Sequence, residues 1–150
     1  MDVIALRTRG AQTLALSTGS IAIKRRGQFD KALICFREAI LHDPTFVDAH
    51  FNAGEILYQL DQMEEAEACF REALRLDPLC APAYASLAQA LHDQHQPDAA
   101  MEVLKEGLAK IPGDEDLNFA VRLQLSSMVP AWHTGLTPKG TPHTPATFTR

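Results

Sequence analysis

Four residues of this chain have types and spacing that suggest a metal site: His92 and His95, with Asp93 and Asp98 beside them. Imidazole nitrogens and carboxylates are common zinc ligands, but a zinc site needs a more complete donor set than these offer. The four straddle a turn and no further ligand is evident, so they read as a solvated turn and no metal is expected. The three cysteines are an odd number and make no disulfide framework. Cys35 and Cys69 occupy equivalent places in a repeated pattern and read as buried small apolar side chains. Cys80 is expected to be exposed, with nothing near it that marks a nucleophile. The chain has neither a glycine-rich phosphate loop nor a nucleophile elbow. These residues therefore predict no enzyme, no catalytic residue and no cofactor.

The elements that carry these residues return every 34 positions. Pro44, Pro78 and Pro112 share one register, Ala32, Ala66 and Ala100 a second, and Phe36, Phe70 and Leu104 a third. A fixed period of this length signals stacked helical hairpins, whose usual work is to present surfaces rather than to perform chemistry. The copies are 13–46, 47–80 and 81–114, after an N-terminal extension over 1–12. Each copy reads as helix A, a turn and helix B: 13–26 and 30–42, then 47–60 and 63–76, then 81–94 and 97–110. Gly27-Gln28 and Asp61-Gln62 make the first two turns, and Pro97 opens a helix at a position where its missing N–H costs nothing. Asp43-Pro44 and Asp77-Pro78 close their B helices, because proline restricts the residue before it. Ala66, Phe70, Ala73 and Leu74 fall at i, i+4, i+7 and i+8, one face of a helix, and a bulky residue at Ala66 would overpack it at a cost of about 1–3 kcal/mol.

The totals bound the partners. With 46% apolar and 22% charged residues, 150 residues suit a soluble domain or a short repeat array. No apolar run approaches the roughly 20 residues that a membrane helix needs, and Arg7 and Arg9 follow a short apolar patch, the wrong order for a secretory signal. A formal net charge of −5 argues against broad nucleic-acid binding. A reducing cytoplasm is the expected location, and neither nucleic acid nor membrane is an expected partner.

In these motifs the chain resembles the tetratricopeptide repeat family, whose repeat is also 34 residues long. The first copy supplies Leu16, Gly19, Ser20, Ile23, Ala32, Phe36, Ala39 and Pro44 in register. The second supplies His50, Ala53, Gly54, Leu57, Ala66, Phe70, Ala73 and Pro78, and the third Tyr84, Leu87, Ala88, Leu91, Ala100, Leu104, Gly107 and Pro112. His50 and Gly107 depart from the family pattern and are expected to loosen their contacts. The resemblance implies an all-α fold: an α-solenoid of three tetratricopeptide hairpins plus a C-terminal capping helix, wound as a right-handed superhelix.

It also implies where a ligand would sit, because the family's A helices line a concave groove. The positions that face it include Lys24 and Arg25; Phe51, Asn52, Glu55, Tyr58 and Gln59; and Ser86, Gln89 and His92. Phe51 and Tyr58 offer aromatic area, Asn52 and Gln89 hydrogen bonds, and Lys24 and Arg25 attraction for a carboxylate. The mix suits an extended or helical peptide; the alternative is a solvated face with no fixed ligand. Family members that clamp a chaperone's terminal carboxylate use lysine, asparagine and arginine at set positions. Of these only Asn52 matches, with Ser17, Ile21, Pro82 and Ser86 at the others, so heat-shock chaperone C-terminal peptides are disfavoured. Thr18 and Ser86 likewise interrupt the asparagine ladder of the glycosyltransferase type.

After Pro112, Asp114, Glu115 and Asp116 suit a helix N-terminus, where the dipole is positive. The capping helix over 115–128 carries Leu117, Phe119, Val121, Leu123 and Leu125, so it is expected to be apolar on more than one side, where a terminal repeat normally turns a polar face outward. These residues suggest self-association into a homo-oligomer. Residues 129–150 read as a flexible tail, with threonine-proline three times in it. Val129-Pro130-Ala131-Trp132-His133 resembles the segment that leads into the catalytic domain of repeat-containing arginine methyltransferase-like proteins; the alternative, that Trp132 anchors the end of the cap helix, is preferred. The expected function is a non-catalytic protein–protein interaction module that holds a peptide or helix from an unidentified partner in its groove. The alternatives are a self-associating scaffold, or the substrate-recruiting repeat portion of a larger methyltransferase-like enzyme.

Overall fold

The computed structural model describes residues 19–128. The expectations for 1–12, for Ser17 and Thr18, and for 129–150 lie outside the described residues. Within 19–128 every regular element is a helix. The described part of the first covers 19–25 (α1). It is followed by α2 (Phe29–His42), α3 (Val47–Gln59), α4 (Met63–Leu76), α5 (Ala81–Asp93), α6 (Pro97–Lys110) and α7 (Glu115–Met128). Fully described helices start and end within one residue of the positions that the 34-residue pattern predicts. None is long and apolar enough to cross a membrane.

Consecutive helices from α2 to α7 pack on one another, and α5 also touches both α3 and α7. Successive A helices thus lie side by side with the B helices behind them, as in an α-solenoid. The period explains the core. Ala32, Ala66 and Ala100 are fully buried, and the larger Phe36, Phe70 and Leu104 fill the same place in each layer. Small residues let the hairpin helices approach, and the ring or leucine occupies the space that remains.

The turns obey the same register. Gly27, Asp61 and His95 stand 34 residues apart and all adopt left-handed backbone angles, with φ of 74°, 61° and 62°. Left-handed backbone is unfavourable for side chains other than glycine, so the solenoid imposes this turn on Asp61 and His95. The loops that follow the B helices are also copies. The Asp43 carboxylate accepts the Thr45 N–H at 3.0 Å, and the Asp77 carboxylate accepts the Leu79 N–H at 3.0 Å.

Two departures from the family pattern behave differently from expectation. His50 is buried, and its Nε2–H donates to the Pro44 carbonyl at 2.9 Å, the counterpart of the Tyr84 hydroxyl donating to the Pro78 carbonyl at 3.2 Å. Histidine reaches the same acceptor as tyrosine, so the contact is kept. At Gly107, a Cβ would lie 2.8 Å from Tyr84 Cγ and 3.2 Å from Leu117 Cδ1. The glycine therefore permits a close approach of α6 to the Tyr84 ring, where a looser contact was expected.

Candidate peptide-binding groove

The A helices bring a set of polar side chains together over an aromatic floor. Lys24 of α1, Glu55, Tyr58 and Gln59 of α3, and Ser86 and Gln89 of α5 line a depression of about 290 Å³ whose base is Phe70 of α4. Lys24 forms an ion pair with Glu55, and its Nζ also donates to Asn52 Oδ1 at 3.4 Å. Asn52 Nδ2 donates in turn to the Asp48 carbonyl at 2.7 Å, which fixes the amide on the surface of α3. The Tyr58 hydroxyl donates to Asp93 Oδ2 at 2.5 Å, and Gln89 Nε2 donates to Asp93 Oδ1 at 3.0 Å. Asp93 thereby ties α3 to α5. The Tyr58 phenol is pushed up to about 12, first by its hydrogen bond to Asp93, then by burial and by the Asp93 charge, against an opposing pull from the Gln89 hydrogen bond. At neutral pH it is a fixed neutral donor.

Most of the residues expected to face a ligand are therefore in one place, but several are already engaged. Lys24 is committed to Glu55, so of the two cations only exposed Arg25 is left to attract a carboxylate. Phe51 is half-buried and packs its ring against Phe70, with centroids 5.9 Å apart at 50°, so it supports the floor of the depression. His92 sits farther along, half-buried, where its Nδ1 accepts from Gln124 Nε2 of α7 at 2.9 Å. It ties α5 to α7, while His95 and Asp98 are exposed. Cys35, Cys69 and Cys80 are all half-buried free thiols, and burial raises the pKa of Cys69 and Cys80, which disfavours their thiolate forms. Sequence reasoning placed Asp93 among the groove-facing positions and Phe70 among the packing ones, but not the first as a junction or the second as a floor.

A second depression, of about 280 Å³, lies between α5 and α7 and shares Gln89 with the first. Its base is Leu104 of α6, the repeat counterpart of Phe70. Phe119 and Leu123 line it and are 60% and 55% exposed. The five large apolar residues between Leu117 and Leu125 thus do not share a face. Leu117 is fully buried in the core, Val121 is half-buried, Phe119 and Leu123 open onto the depression, and Leu125 is exposed. The Asp114 carboxylate accepts the Leu117 N–H at 2.9 Å and fixes the start of α7.

The family profile described as tetratricopeptide repeat matches residues 25–91. Residues 25–91 are thus similar to tetratricopeptide repeats, and the fold is the all-α solenoid of that family. A comparison with curated proteins gave no match. Solved tetratricopeptide repeat structures share the fold. The first such domain of Spaghetti (RPAP3) bound to the HSP90 peptide SRMEEVD superposes with a TM-score of 0.71 at 18% identity, covering 79% of this chain and 94% of that one. The second domain of human RPAP3, in complex with the HSP70 peptide SGPTIEEVD, gives 0.71 at 18%, covering 78% and 98%. The first domain of human RPAP3 gives 0.71 at 18%, covering 78% and 92%.

The two peptide complexes correct the expectation that chaperone C-terminal peptides are disfavoured. That expectation compared one clamp position by position. At 18% identity the tetratricopeptide repeat backbone recurs while most side chains differ, so the mismatches at Ser17, Ile21, Pro82 and Ser86 are no ground for that exclusion.

Proposed function

We propose that the chain is a non-catalytic protein–protein interaction module that holds a peptide or helix in the groove formed by α1, α3, α5 and α7. The observation that carries this reading is the convergence of Lys24, Glu55, Tyr58, Ser86 and Gln89, from three successive A helices, around one depression floored by Phe70. Side chains held by mutual hydrogen bonds lose little further entropy when a ligand arrives, and an aromatic floor supplies apolar area. Tyr58 lines this depression and Asn52 is joined to it through Lys24, and a cytoplasmic location fits the reading. The peptide complexes of RPAP3 supply the first probes. Fluorescence polarisation of labelled SRMEEVD and SGPTIEEVD, together with an arrayed peptide library, should identify at least one ligand of the full chain. The Asn52→Ala/Tyr58→Ala double variant should weaken that ligand by roughly tenfold or more, the loss of one or two hydrogen bonds at a desolvated contact. Binding that survives both substitutions unchanged would sink the groove reading.

A further inference from the structure

We infer that the depression between α5 and α7 is an anchoring subsite for a leucine or phenylalanine side chain that stands next to a lysine or arginine in the bound peptide. The inference rests on the groove reading and adds a specificity to it. It begins from register. Phe119 and Leu123 are the repeat counterparts of Phe51 and Glu55 in α3 and of Ala85 and Gln89 in α5. On those helices the two positions lie at or beside the polar depression, so in α7 they continue the same face of the solenoid.

The lining has what an apolar anchor needs. Phe119 and Leu123 stand one turn apart on α7 and are more than half exposed, while Leu117 is turned into the core and buried Gln124 borders the depression beside them. Across from them Ala85 and Ala88 are small, and Leu104 closes the base, which leaves room of about 280 Å³ where a larger residue at either alanine would have filled it. A concave apolar site with a few polar groups at its edge is the ordinary form of a side-chain pocket. The one charged residue in the lining is Asp116, an exposed carboxylate at the start of α7. Its charge selects a cation on the residue beside the anchor.

The test uses the full chain and four fluorescein-labelled peptides in one glycine-serine frame, with Leu-Lys, Leu-Glu, Ser-Lys or Ser-Ser at the centre. Leu-Lys should bind roughly tenfold or more tightly than Ser-Lys, the effect of burying one leucine, and several-fold more tightly than Leu-Glu. Phe119→Ser/Leu123→Ser should abolish the preference for leucine over serine while leaving the thermal melt near that of the parent, since both side chains are exposed. Asp116→Lys should reverse the order of Leu-Lys and Leu-Glu. Equal affinities for the four peptides, or no binding at about 1 mM, overturn the subsite. The proposal is also overturned if light scattering shows a dimer that Phe119→Ser/Leu123→Ser dissociates, or if removing 129–150 tightens Leu-Lys binding by tenfold, because the site would then belong to a second copy or to the chain's own tail. The groove reading fails separately: a ligand lost in Asn52→Ala/Tyr58→Ala but unaffected by Phe119→Ser/Leu123→Ser keeps the groove and removes the subsite.

Discussion

The two depressions along the A helices share a frame and differ in what the frame carries. Phe70 floors one and Leu104 the other, from the same place in successive B helices, and Gln89 borders both. In the first, each charged group has an internal partner: Lys24 has Glu55, and Asp93 has Tyr58 and Gln89. In the second, Phe119 and Leu123 have solvent where a partner could stand. A ligand in the first must exchange existing hydrogen bonds for new ones, each worth about 0.5–1.5 kcal/mol net, so little affinity is gained there and wrong partners are penalised. A ligand in the second removes apolar surface from water, which is favourable by about 1.5–3 kcal/mol for a large side chain. The repeat thus fixes the backbone, and single positions decide whether a layer selects or anchors.

The floors give the largest test of this comparison. Phe70 and Leu104 are each 1% exposed. Phe70→Ala should destabilise the chain by about 3–5 kcal/mol and Leu104→Ala by about 2–5 kcal/mol in urea denaturation. The phenylalanine is expected at the higher figure, because the Phe51 ring packs against it at a tilt and Gly54 lies against its edge. If Leu104→Ala proved the more costly, the α5–α7 layer would be the better packed of the two, and the idea of an open anchoring site there would lose its basis.

Two glycines refine the same contrast at a smaller scale. A Cβ at Gly54 would meet Phe70 Cε1 at 2.7 Å, the far edge of a ring, whereas a Cβ at Gly107 would meet Tyr84 Cγ at 2.8 Å, the root of one. A ring edge can tilt away, but the root moves only with its whole side chain. Overpacking costs about 1–3 kcal/mol, and the gain in helix propensity from glycine to alanine returns up to about 1 kcal/mol. Gly107→Ala should therefore lower the melting temperature more than Gly54→Ala. The reverse order would place the tighter packing in the polar layer.

These positions also show what the sequence could disclose. The proline, alanine and aromatic registers give every fully described hairpin helix to within a residue, because burial against a neighbouring copy is what the period encodes. Groove residues were legible as positions, yet their states were not. That Lys24 is neutralised by Glu55 depends on how α1 lies against α3, and that Phe51 supports a floor depends on the ring of Phe70. Both are side-chain meetings across hairpins, invisible to a pattern read along one chain. The last helix was the harder case. Its apolar residues look continuous in sequence, but a turn of 100° per residue sends Leu117 inward and Phe119 and Leu123 onto the groove side. Gly107 was misread for the converse reason: a missing side chain looks like a missing contact until the Tyr84 ring is seen against it.

The smallest effect concerns the polar layer alone and asks whether it is as fully paired as the comparison requires. Tyr58 has its phenol raised from the ordinary 10.0 to about 12, chiefly because the hydroxyl donates to Asp93. The protonated form is the one that the fold favours, so the contribution of this pair to stability is complete below pH 10.0 and is lost as the pH rises through about 12. Tyr58 is largely solvated, so screening keeps that contribution small. An NMR titration of the Tyr58 ring resonances should give a midpoint well above 10 in the parent chain and return it towards 10 in Asp93→Ala. A parent midpoint already near 10 would mean that the hydroxyl is not tied to Asp93. The first depression would then have an uncommitted donor at its centre, ready to give a new hydrogen bond to a ligand, and the division between a selecting layer and an anchoring one would narrow to the presence of Phe119 and Leu123.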